Sequence, residues 1–336
     1  METYPSLSDI VAAMQNPHVC FKSKELVGGT VLKKNRRILQ YSGGYTTVFP
    51  FLTKEGKKVA VRCWIADIGD AKHRSIKIAD YLRTLQSPYF VDFIYLEQAL
   101  LIQGKFYPVV VMEWVEAKTL KDYINDNIFQ SPELLINIAN DFKNMVAYLH
   151  GAGVAHGDLQ HGNLLIKPDG KIVLIDYDSM YIEPLLGMSD TIKGLPGYQH
   201  PARALNEKIN PKMDFFSESV IYVALLVFAE SPDLWAKYYE TEDLLFSKDD
   251  FSNPADSELF SKLSRSPNPT ITKVINKIKE QLTQSDIKQL LPLEELLIDQ
   301  LAVARDKITS KWSLQPNPPV KTDIIVPNIT GIINKM

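Results

Sequence analysis

The segment HGDLQHGN, residues 156–163, and the segment VLIDYDSM, residues 173–180, decide how this chain is interpreted. Within them, Asp158, Asn163 and Asp176 are spaced as in sites that bring a hydroxyl group, magnesium and a nucleoside triphosphate together. A phosphoryl group that is being transferred carries delocalised negative charge. The reaction therefore needs oxygen atoms that bind metal ions and one acidic side chain oriented at the attacking hydroxyl. The pattern predicts that Asp158 orients the nucleophile and that Asn163 and Asp176 bind the metal.

These segments resemble the catalytic loop HRDxxxxN and the metal-binding turn DFG of the protein kinase-like superfamily, with similarity over roughly residues 38–305. The resemblance implies an α+β bilobal fold, with an antiparallel β-sheet N-lobe carrying one main helix and a mostly α-helical C-lobe. We expect four regions: an N-terminal extension with a short helix over residues 1–37, the N-lobe over 38–113, the C-lobe over 114–312 and a C-terminal tail over 313–336.

Composition indicates a globular chain without a charge bias. Hydrophobic residues make up 45% and charged residues 23% of the 336 residues, and the formal net charge is -3. This balance gives no electrostatic basis for binding nucleic acid or a membrane surface. No stretch approaches the ~18 uninterrupted apolar residues of a membrane span. With only Cys20 and Cys63, a disulfide scaffold is excluded, so we expect a cytoplasmic protein with neither nucleic acid nor membrane as partner.

The first part of the chain combines one helical pattern with several strand patterns. Apolar residues at helical spacing from Leu7 to Met14, behind Ser6 with Asp9 three residues later, predict a short capped helix that packs on the fold. Three apolar runs with glycine punctuation follow, and they predict consecutive antiparallel strands: LVGGTVL (26–32), ILQYSGGYTTVFPF (38–51) and KKVAVRCWI (57–65).

The second run contains a candidate phosphate-binding turn at Gly43 and Gly44, where the backbone can approach a polyphosphate closely. Counting back from Val48, the three glycine positions of the family motif GxGxxGxV fall on Tyr41, Gly43 and Thr46, so only the middle glycine is retained. A hairpin turn of ordinary function has the same composition. The position of the turn before the next strand favours nucleotide binding, with Val48 beside the nucleotide.

The tetrapeptide VAVR, residues 59–62, resembles the kinase strand VAIK. By that resemblance Ala60 covers the adenine and Arg62 holds the α- and β-phosphates in place of lysine. Arginine keeps the charge, but its longer, planar guanidinium does not reproduce the geometry of an ammonium group. The alternative is that Arg62 is a solvated strand residue.

A helix over about Ala71–Leu85 is expected to carry the glutamate that pairs with the strand cation in this superfamily. That position falls on Ile78, and Asp80 lies two residues further on. Two residues rotate a helix by about 200°. Asp80 therefore cannot replace the glutamate, and Arg62 is expected to pair elsewhere, with Asp176 as the candidate.

The segment from Tyr107 to Ile124 resembles the family's MEYVxGxxL hinge. Adenine recognition at such a hinge uses main-chain groups, so the resemblance assigns the carbonyl of Glu113 and the amide of Val115 to the nucleotide, with Met112 at the back of the pocket. Glu116 either reaches a ribose hydroxyl or is solvated.

The residues around the catalytic loop depart from the family pattern in specific ways. Before the loop, the segment from Ser131 to His150 predicts a helix capped by the serine. The resemblance makes His156 a structural hydrogen-bonding residue. Gly157 replaces an arginine, which removes the cation that would receive an activation-loop phosphate, and Gln160 replaces a lysine that binds the γ-phosphate.

The segment GLPGYQHPA, residues 194–202, resembles the GTPxYxAPE end of a protein-kinase activation segment and favours a protein-kinase C-lobe. Leu195 replaces the threonine that supports the catalytic aspartate. Ala202 replaces the glutamate of a structural ion pair, with Arg203 beside it. Further on, Asp214 matches a buried aspartate that binds the catalytic-loop backbone.

Three functions are consistent with these residues. The first is an ATP- and magnesium-dependent kinase that phosphorylates serine or threonine of a protein. The second is a nucleotide-binding pseudokinase that acts as a scaffold or regulator, because Arg62 replaces the lysine and the helix glutamate and two glycines are missing. The third is a small-molecule phosphotransferase, because Gln160 replaces the lysine that binds the γ-phosphate, HGDxxxxN loops occur in such enzymes, and Asp178 of DYD could add a carboxylate near the metals.

The motifs RCW, HGDLQHGN and YQHP together resemble a bacterial group of serine/threonine kinase-like proteins. That resemblance implies a partner phosphatase or a von Willebrand-type protein in stress or tellurium-resistance systems. After Trp312 the helical pattern ends, and the prolines predict an extended tail.

Overall fold

The computed structural model describes residues 4–66 and 70–298. All described helices and strands lie within the first of the chain's two units, Met1–Leu297. This unit contains a β-rich N-lobe and a helical C-lobe, so the predicted α+β bilobal fold is confirmed. The predicted boundary between C-lobe and tail, at residues 312 and 313, lies outside the described residues.

The described part of the N-lobe contains three helices and eight strands, in the order α1 (Leu7–Met14), α2 (Pro17–Cys20), β1 (Thr30–Val31), β2 (Lys33–Lys34), β3 (Arg37–Ile38), β4 (Tyr41–Ser42), β5 (Thr46–Leu52), β6 (Lys58–Trp64), α3 (Ala71–Leu85), β7 (Phe93–Ile102) and β8 (Lys105–Glu113). The C-lobe contains the described elements β9 (Lys118–Thr119), α4 (Leu120–Asn127), α5 (Glu133–Gly151), β10 (Leu164–Ile166), β11 (Ile172–Leu174), α6 (Phe215–Glu230), α7 (Trp235–Tyr238), α8 (Lys248–Ser252), α9 (Glu258–Leu263), α10 (Pro269–Gln281) and α11 (Leu293–Leu297).

The main N-lobe sheet is antiparallel and runs in the order β1-β5-β6-β8-β7, with β4 paired to the other part of β5. Strands β9, β10 and β11 form a small antiparallel sheet in the C-lobe. It places the chain before β10 and the chain after β11 next to each other. These are the two segments that carry the predicted metal ligands.

Strand β6 divides its side chains between two apolar clusters, as the period of two in a strand requires. Ala60 and Trp64 belong to the large cluster that continues into the C-lobe. Val59, Val61 and Cys63 belong to a separate N-lobe cluster. Arg62 therefore lies on the face of the sheet that is directed at the C-lobe.

The predicted N-terminal helix is confirmed as α1. The Ser6 hydroxyl accepts a hydrogen bond from the Asp9 amide at 3.2 Å, and the Asp9 carboxylate accepts from the Ser6 amide at 3.3 Å, which forms a capping box. Ile10 and Met14 are fully buried in the separate N-lobe cluster, so α1 is an integral layer of this lobe.

Two sequence-based boundaries were wrong. The run LVGGTVL contributes only the two-residue strand β1, because residues 26–29 form hydrogen-bonded turns. Ser131 does not cap α5, whose N-cap is Pro132 without a side-chain hydrogen bond. In the second case the serine uses its main-chain carbonyl instead, which accepts from the Leu134 amide at 3.0 Å.

Helix α6 is apolar around most of its circumference and forms the centre of the C-lobe, where it packs against α5 and α10. Among the described helices, none is by itself long and apolar enough for a membrane span. Together, Phe215–Glu230 and Pro232–Tyr238 meet that requirement by length and composition, with a bend of 113° between them.

A charged cluster joins three C-lobe helices beneath the catalytic loop. The imidazole of His150 on α5 contacts Glu218 of α6 through Nε2 at 2.7 Å and Glu294 of α11 through Nδ1 at 2.8 Å. Burial alone would lower the pKa of His150, but the hydrogen bonds and charges of the two glutamates raise it to about 9. The ring therefore carries a proton at neutral pH and lies between the carboxyl groups of Glu218, whose own pKa burial raises to about 7, and of Glu294.

This cluster predicts a pH-dependent stability. Below pH 6.5, the ordinary pKa of histidine, the stabilisation by His150 is fully present, and it is lost as the pH rises through about 9. We expect the free energy of unfolding to fall between pH 6.5 and 9.5. The variant His150→Gln should be less stable by ~3 kcal/mol at pH 6.5, because Glu218 loses its partner. The free energy of unfolding of this variant should also fall much less between pH 6.5 and 9.5.

Urea unfolding at several pH values measures this effect, and His73→Gln, which changes an exposed histidine, is the matched control. An equally steep fall with pH in His150→Gln would show that other groups cause it.

Candidate active site

The catalytic loop is held in place by Asp214 at the start of α6. The carboxylate of Asp214 accepts hydrogen bonds from the backbone amides of His156 and Gly157, the latter at 2.8 Å. His156 is fully buried; its Nε2 lies 2.9 Å from the Ile175 carbonyl, and its Nδ1 accepts from the Asp158 amide at 3.3 Å. Both contacts fit a neutral imidazole, and burial lowers the pKa of His156. The predicted structural roles of Asp214 and His156 are confirmed.

Gly157 occupies a position that only glycine fits. Its φ is +82°, and a Cβ atom there would clash with the Ser179 carbonyl oxygen. The arginine of the family motif cannot be accommodated, because the chain lies so close to the predicted metal-binding turn of residues 176–179, called the metal turn below. The catalytic loop therefore lacks the family's arginine in its sequence, and its backbone geometry at residue 157 would also exclude that side chain.

The structure brings the three residues of the predicted catalytic and metal site together. Asn163 donates through Nδ2 to the Asp158 carbonyl at 2.9 Å and to the Asp158 Oδ2 at 3.0 Å. The Ile175 amide donates to the Asn163 carbonyl at 3.1 Å, which places Asp176 beside the loop. The side-chain nitrogen of Asn163 is directed at Asp158, and the charge of Asp176 is close enough to Asp158 to raise its pKa.

Asp158 has the electrostatic environment of a proton acceptor. Burial and the neighbouring charge of Asp176 raise the pKa of Asp158 to about 7, against the hydrogen bond from Asn163, which favours the ionised form. Its Oδ1 is buried and has no hydrogen-bond partner among the residues that the structure describes. A carboxyl group with a pKa near neutrality is suited to take a proton from a hydroxyl group.

Arg62 forms the strongest charge contact of the site. Its guanidinium makes two hydrogen bonds with the carboxylate of Asp178, one of them 2.8 Å long, and Nη2 lies 3.0 Å from Oδ1 of Asp176. Burial opposes the charge, but the two aspartates raise the pKa of Arg62 above its ordinary value. Only 7% of Arg62 is exposed, so the alternative of a solvated strand residue was wrong.

The structure bears on two expectations, one about the partner of Arg62 and one about the role of Asp178. Arg62 does contact Asp176, as predicted, but its two-pronged partner is Asp178. The suggestion that Asp178 adds a carboxylate near the metals stays a prediction, since its side chain is 12% exposed and bound to the same Arg62 nitrogen that contacts Asp176. Asp176 is 45% exposed and keeps carboxylate surface for a metal.

Helix α3 explains why Arg62 needs this partner. The glutamate position is occupied by Ile78, which is buried in the core, and Asp80 is paired with Arg83 at 3.2 Å on the surface. The helix contacts the metal turn through Arg74 instead, which donates to the carbonyls of Asp178 at 3.4 Å and of Ser189. The charge partner of Arg62 is therefore Asp178 of the metal turn, whereas the family has a glutamate on the helix.

The residues predicted to line the nucleotide pocket lie on adjoining strands. Ala60 on β6 is the register partner of Met112 on β8, and both are buried in the large cluster. Val48 on β5 is the register partner of Arg62 and packs, partly buried, against the same cluster. The structure thus brings the aliphatic residues together beside the charge of Arg62.

The hinge and the glycine turn flank this apolar surface. Strand β8 ends at Glu113, and Val115 follows it, partly buried against the large cluster. Gly43 and Gly44 form the tip of the β4–β5 hairpin, where the Gly43 amide donates to the Thr46 carbonyl at 2.9 Å. Neither glycine has a positive φ. Glu116 is solvated and lies 2.5 Å from Lys58 Nζ.

The activation segment replaces the family's ion pair by a different one. Arg203, only 1% exposed, contacts the Asp190 carboxylate at 3.2 Å and donates to Gln199 Oε1 at 2.8 Å. Ala202, at the glutamate position, cannot make such a bond. The charged residue that anchors this segment is Arg203, which follows the family's glutamate position by one residue and pairs with Asp190.

Gln160 is directed back into its own loop. Its Oε1 accepts a hydrogen bond from the Gly162 amide at 2.8 Å. The catalytic loop therefore supplies no cation at the lysine position of the family.

Sequence analysis missed five residues that shape the site: Arg74, Tyr177, Asp190, Gln199 and the pairing role of Asp178. Tyr177 is the clearest of them, because its hydroxyl accepts from the Val91 amide at 2.9 Å and donates to the Leu174 carbonyl at 2.6 Å. A signal was present, since DYD replaces the phenylalanine of DFG by a residue with a hydroxyl group. The partners of that hydroxyl depend on the fold.

The donor atoms fit magnesium and a nucleotide. Magnesium prefers carboxylate and carbonyl oxygen ligands, and Asp176 and Asn163 supply one of each. Arg62 supplies a fixed positive charge beside them, which suits phosphate oxygens. The aliphatic strand residues and the main chain of the hinge form the kind of surface that binds an adenine ring.

The chain is similar to known protein kinases. A family model described as a protein kinase domain matches residues 42–296. The chain is 23% identical over 245 residues to the leaf rust 10 disease-resistance locus receptor-like protein kinase-like 1.3 of Arabidopsis thaliana, which covers 71% of this chain and 35% of that protein. It is 24% identical over 181 residues to a probable serine/threonine-protein kinase of Streptomyces coelicolor, with coverages of 52% and 27%.

A third relative is the serine/threonine-protein kinase PknL of Mycobacterium tuberculosis, 27% identical over 128 residues, which covers 37% of this chain and 32% of that protein. The chain thus spans about a third or less of the length of these relatives. The family model covers far more than half of the chain. With the two lobes, the catalytic loop and the metal turn in place, the chain belongs to the protein kinase domain family.

Proposed function

We propose that this protein transfers the γ-phosphate of ATP, with magnesium, to serine or threonine side chains of a protein. The observation that carries the proposal is the meeting of Asp158, Asn163 and Asp176, joined by the Asn163 side chain and the hydrogen bond from Ile175. A structural network of polar residues alone does not require the buried carboxylate of Asp158 to lie next to the half-exposed carboxylate of Asp176.

In the proposed reaction, Asp158 orients the acceptor hydroxyl and takes its proton as the oxygen attacks phosphorus. Bound magnesium would neutralise the charge that develops on the phosphate oxygens, and Asn163 and Asp176 would hold it. Arg62 fixes Asp176 from one side and offers its charge to the nucleotide. Because Asp178 neutralises much of that charge, Arg62 is a weaker phosphate ligand than a free cation.

A protein acceptor is favoured over a small molecule. The segment of residues 194–202 is built into the C-lobe, with Tyr198 fully buried and contacting His161 of the catalytic loop. Relatives named serine/threonine-protein kinases support the same choice. Of the two residues that suggested a small-molecule enzyme, Asp178 is bound by Arg62, and Gln160 accepts a hydrogen bond within its own loop.

A pseudokinase is the second candidate. Arg62 in place of lysine and the lone family glycine, Gly43, favour it. The missing helix glutamate no longer does, because Asp178 supplies the partner of Arg62. The partner phosphatase or von Willebrand-type protein and the cytoplasmic location stay predictions of the sequence.

A transfer assay separates the candidates. The full chain is incubated with γ-labelled ATP, magnesium and generic protein acceptors, and the labelled amino acids are identified after hydrolysis. Phosphoserine or phosphothreonine is the expected product. Nucleotide binding without labelled protein would contradict the proposal in favour of a pseudokinase, and label found only in an added metabolite would contradict it in favour of a small-molecule enzyme.

The metal assignment of Asp176 gives a second test. Replacement by alanine is expected to lower the magnesium-dependent affinity for ATP by more than ~10-fold, since even residues that only support metal ligands are worth that much. Calorimetric titration with and without magnesium measures the change. Asp169→Ala, which removes an exposed aspartate paired with Lys171, is the control. Equal affinities of Asp176→Ala and wild type would exclude Asp176 as a ligand.

A further inference from the structure

Two buried polar atoms without partners lie side by side in the active site. They are Oδ1 of Asp158 and Nε2 of Gln199, and neither has a hydrogen-bond partner among the described residues. A Cβ atom on Gly194 would lie 2.5 Å from the first and 2.9 Å from the second. Both atoms therefore border the space that glycine leaves free, and the structure itself has no hydrogen bond between them.

The orientation of the Gln199 amide is fixed from its other end. Arg203 donates to Oε1 at 2.8 Å, and an arginine has no acceptor that could receive an amide N–H. Arg203 is itself held by Asp190, with Nη2 3.2 Å from Oδ1. The oxygen of Gln199 must face Arg203, so its nitrogen, a donor, is the atom presented to Asp158.

Within residues 4–66 and 70–298, the surroundings offer Oδ1 of Asp158 no other donor. Asn163 binds Oδ2, Gln160 is occupied by its own loop, and Leu195 carries no hydroxyl group at the position where the family has threonine. An unpaired carboxylate oxygen and an unpaired amide in the same buried space each cost free energy, and a hydrogen bond between them removes both costs.

We propose that Gln199 is the positioning residue of Asp158: its Nε2–H donates to Oδ1 while Asn163 holds Oδ2, so that the carboxylate is fixed in the orientation that meets the acceptor hydroxyl. Gly194 is required because any side chain would separate the two groups. The catalytic consequence rests on the proposed kinase function, whereas the hydrogen bond itself does not.

The hydrogen bond can be tested without turnover. In full-length protein with ¹⁵N-labelled glutamine side chains, the signals of the Gln199 amide are assigned by their loss in Gln199→Met. Asp158→Asn replaces one carboxylate oxygen by an NH2 group of nearly the same size. We expect this change to move the Gln199 amide signals, and to leave unmoved those of Gln281, a buried glutamine whose amide binds the Leu291 carbonyl.

Catalysis gives the second readout. Gln199→Met keeps the size of the side chain but removes both the Nε2 donor and the Oε1 atom that accepts from Arg203. It is expected to lower kcat by about 10- to 100-fold through misplacement of Asp158, with little change in the KM for ATP. Gln281→Met alters a similarly buried glutamine and is the matched control for a general loss of packing.

Each outcome bears on one claim. Unmoved Gln199 signals in Asp158→Asn would overturn the hydrogen bond, whether or not the protein transfers phosphate. A fall in kcat that is equal in Gln199→Met and Gln281→Met would overturn the positioning role. Moved Gln199 signals in a protein without any transfer activity would support the hydrogen bond and contradict only the proposed function.

Discussion

Asp158→Asn is expected to lower the rate of phosphoryl transfer by about 1,000-fold and to leave the affinity for magnesium and ATP close to that of the wild type. Asparagine fills the same space and can keep a hydrogen bond with Asn163, but it cannot take a proton from the acceptor hydroxyl. General base groups contribute ~10²- to 10⁴-fold to rate, and the fixed geometry adds to the loss. Single-turnover transfer with enzyme in excess measures the chemical step, and nucleotide titration measures the binding.

Asp169→Asn is the matched control, because it makes the same chemical change at an exposed turn in the C-lobe. An Asp158→Asn variant with more than a tenth of the wild-type rate would show that Asp158 is not the base. A variant that no longer binds ATP would indicate that Asp158 acts in nucleotide binding instead.

The second large effect is expected from Asp178→Ala. This change leaves Arg62 buried, with only the longer contact to Asp176, and the loss of one partner of a buried pair costs ~3 kcal/mol or more. We expect the free energy of unfolding in urea to fall by that amount. Arg62 should then turn fully to Asp176, so magnesium-dependent ATP affinity should fall as well.

Two further variants isolate the cause. Asp80→Ala removes the pairing of Asp80 with Arg83 on the exposed side of α3, which should cost less than ~1 kcal/mol. The double variant Arg62→Met with Asp178→Leu removes both charges and should regain most of the stability, without regaining ATP affinity. If Asp178→Ala were no less stable than Asp80→Ala, the pairing of Arg62 with Asp178 would contribute nothing to the fold.

Much of the architecture could be predicted from local patterns. Helix α3 has the predicted limits, Ala71 and Leu85, because its apolar residues recur at helical spacing and the chain changes character at both ends. The capping box of Ser6 and Asp9 defined α1 in the same way. The predicted boundary failed at β1, because the residues before it form local hydrogen-bonded turns instead of continuing the strand.

The site was predictable in its spacing but not in its pairings. HGDLQHGN and DYD fix which residues enter the site, yet no pattern shows that Asp178 turns to Arg62 while Asp176, with a φ of +66°, remains open. That difference depends on the backbone of the turn. The hydrogen bond from Arg203 to Gln199, and the placement of the Gln199 amide near Asp158, depend on the fold and follow from no spacing rule.

The central claim is that Asn163 and Asp176 hold the divalent ion beside Asp158, in reach of a nucleotide bound near Arg62. Anomalous diffraction from crystals grown with manganese and a non-hydrolysable ATP analogue tests it most directly. We predict an anomalous peak coordinated by Asp176 and the side-chain oxygen of Asn163, with Asp178 still bound to Arg62. A peak on Asp178, or a nucleotide bound with no ion between Asn163 and Asp176, would contradict the account.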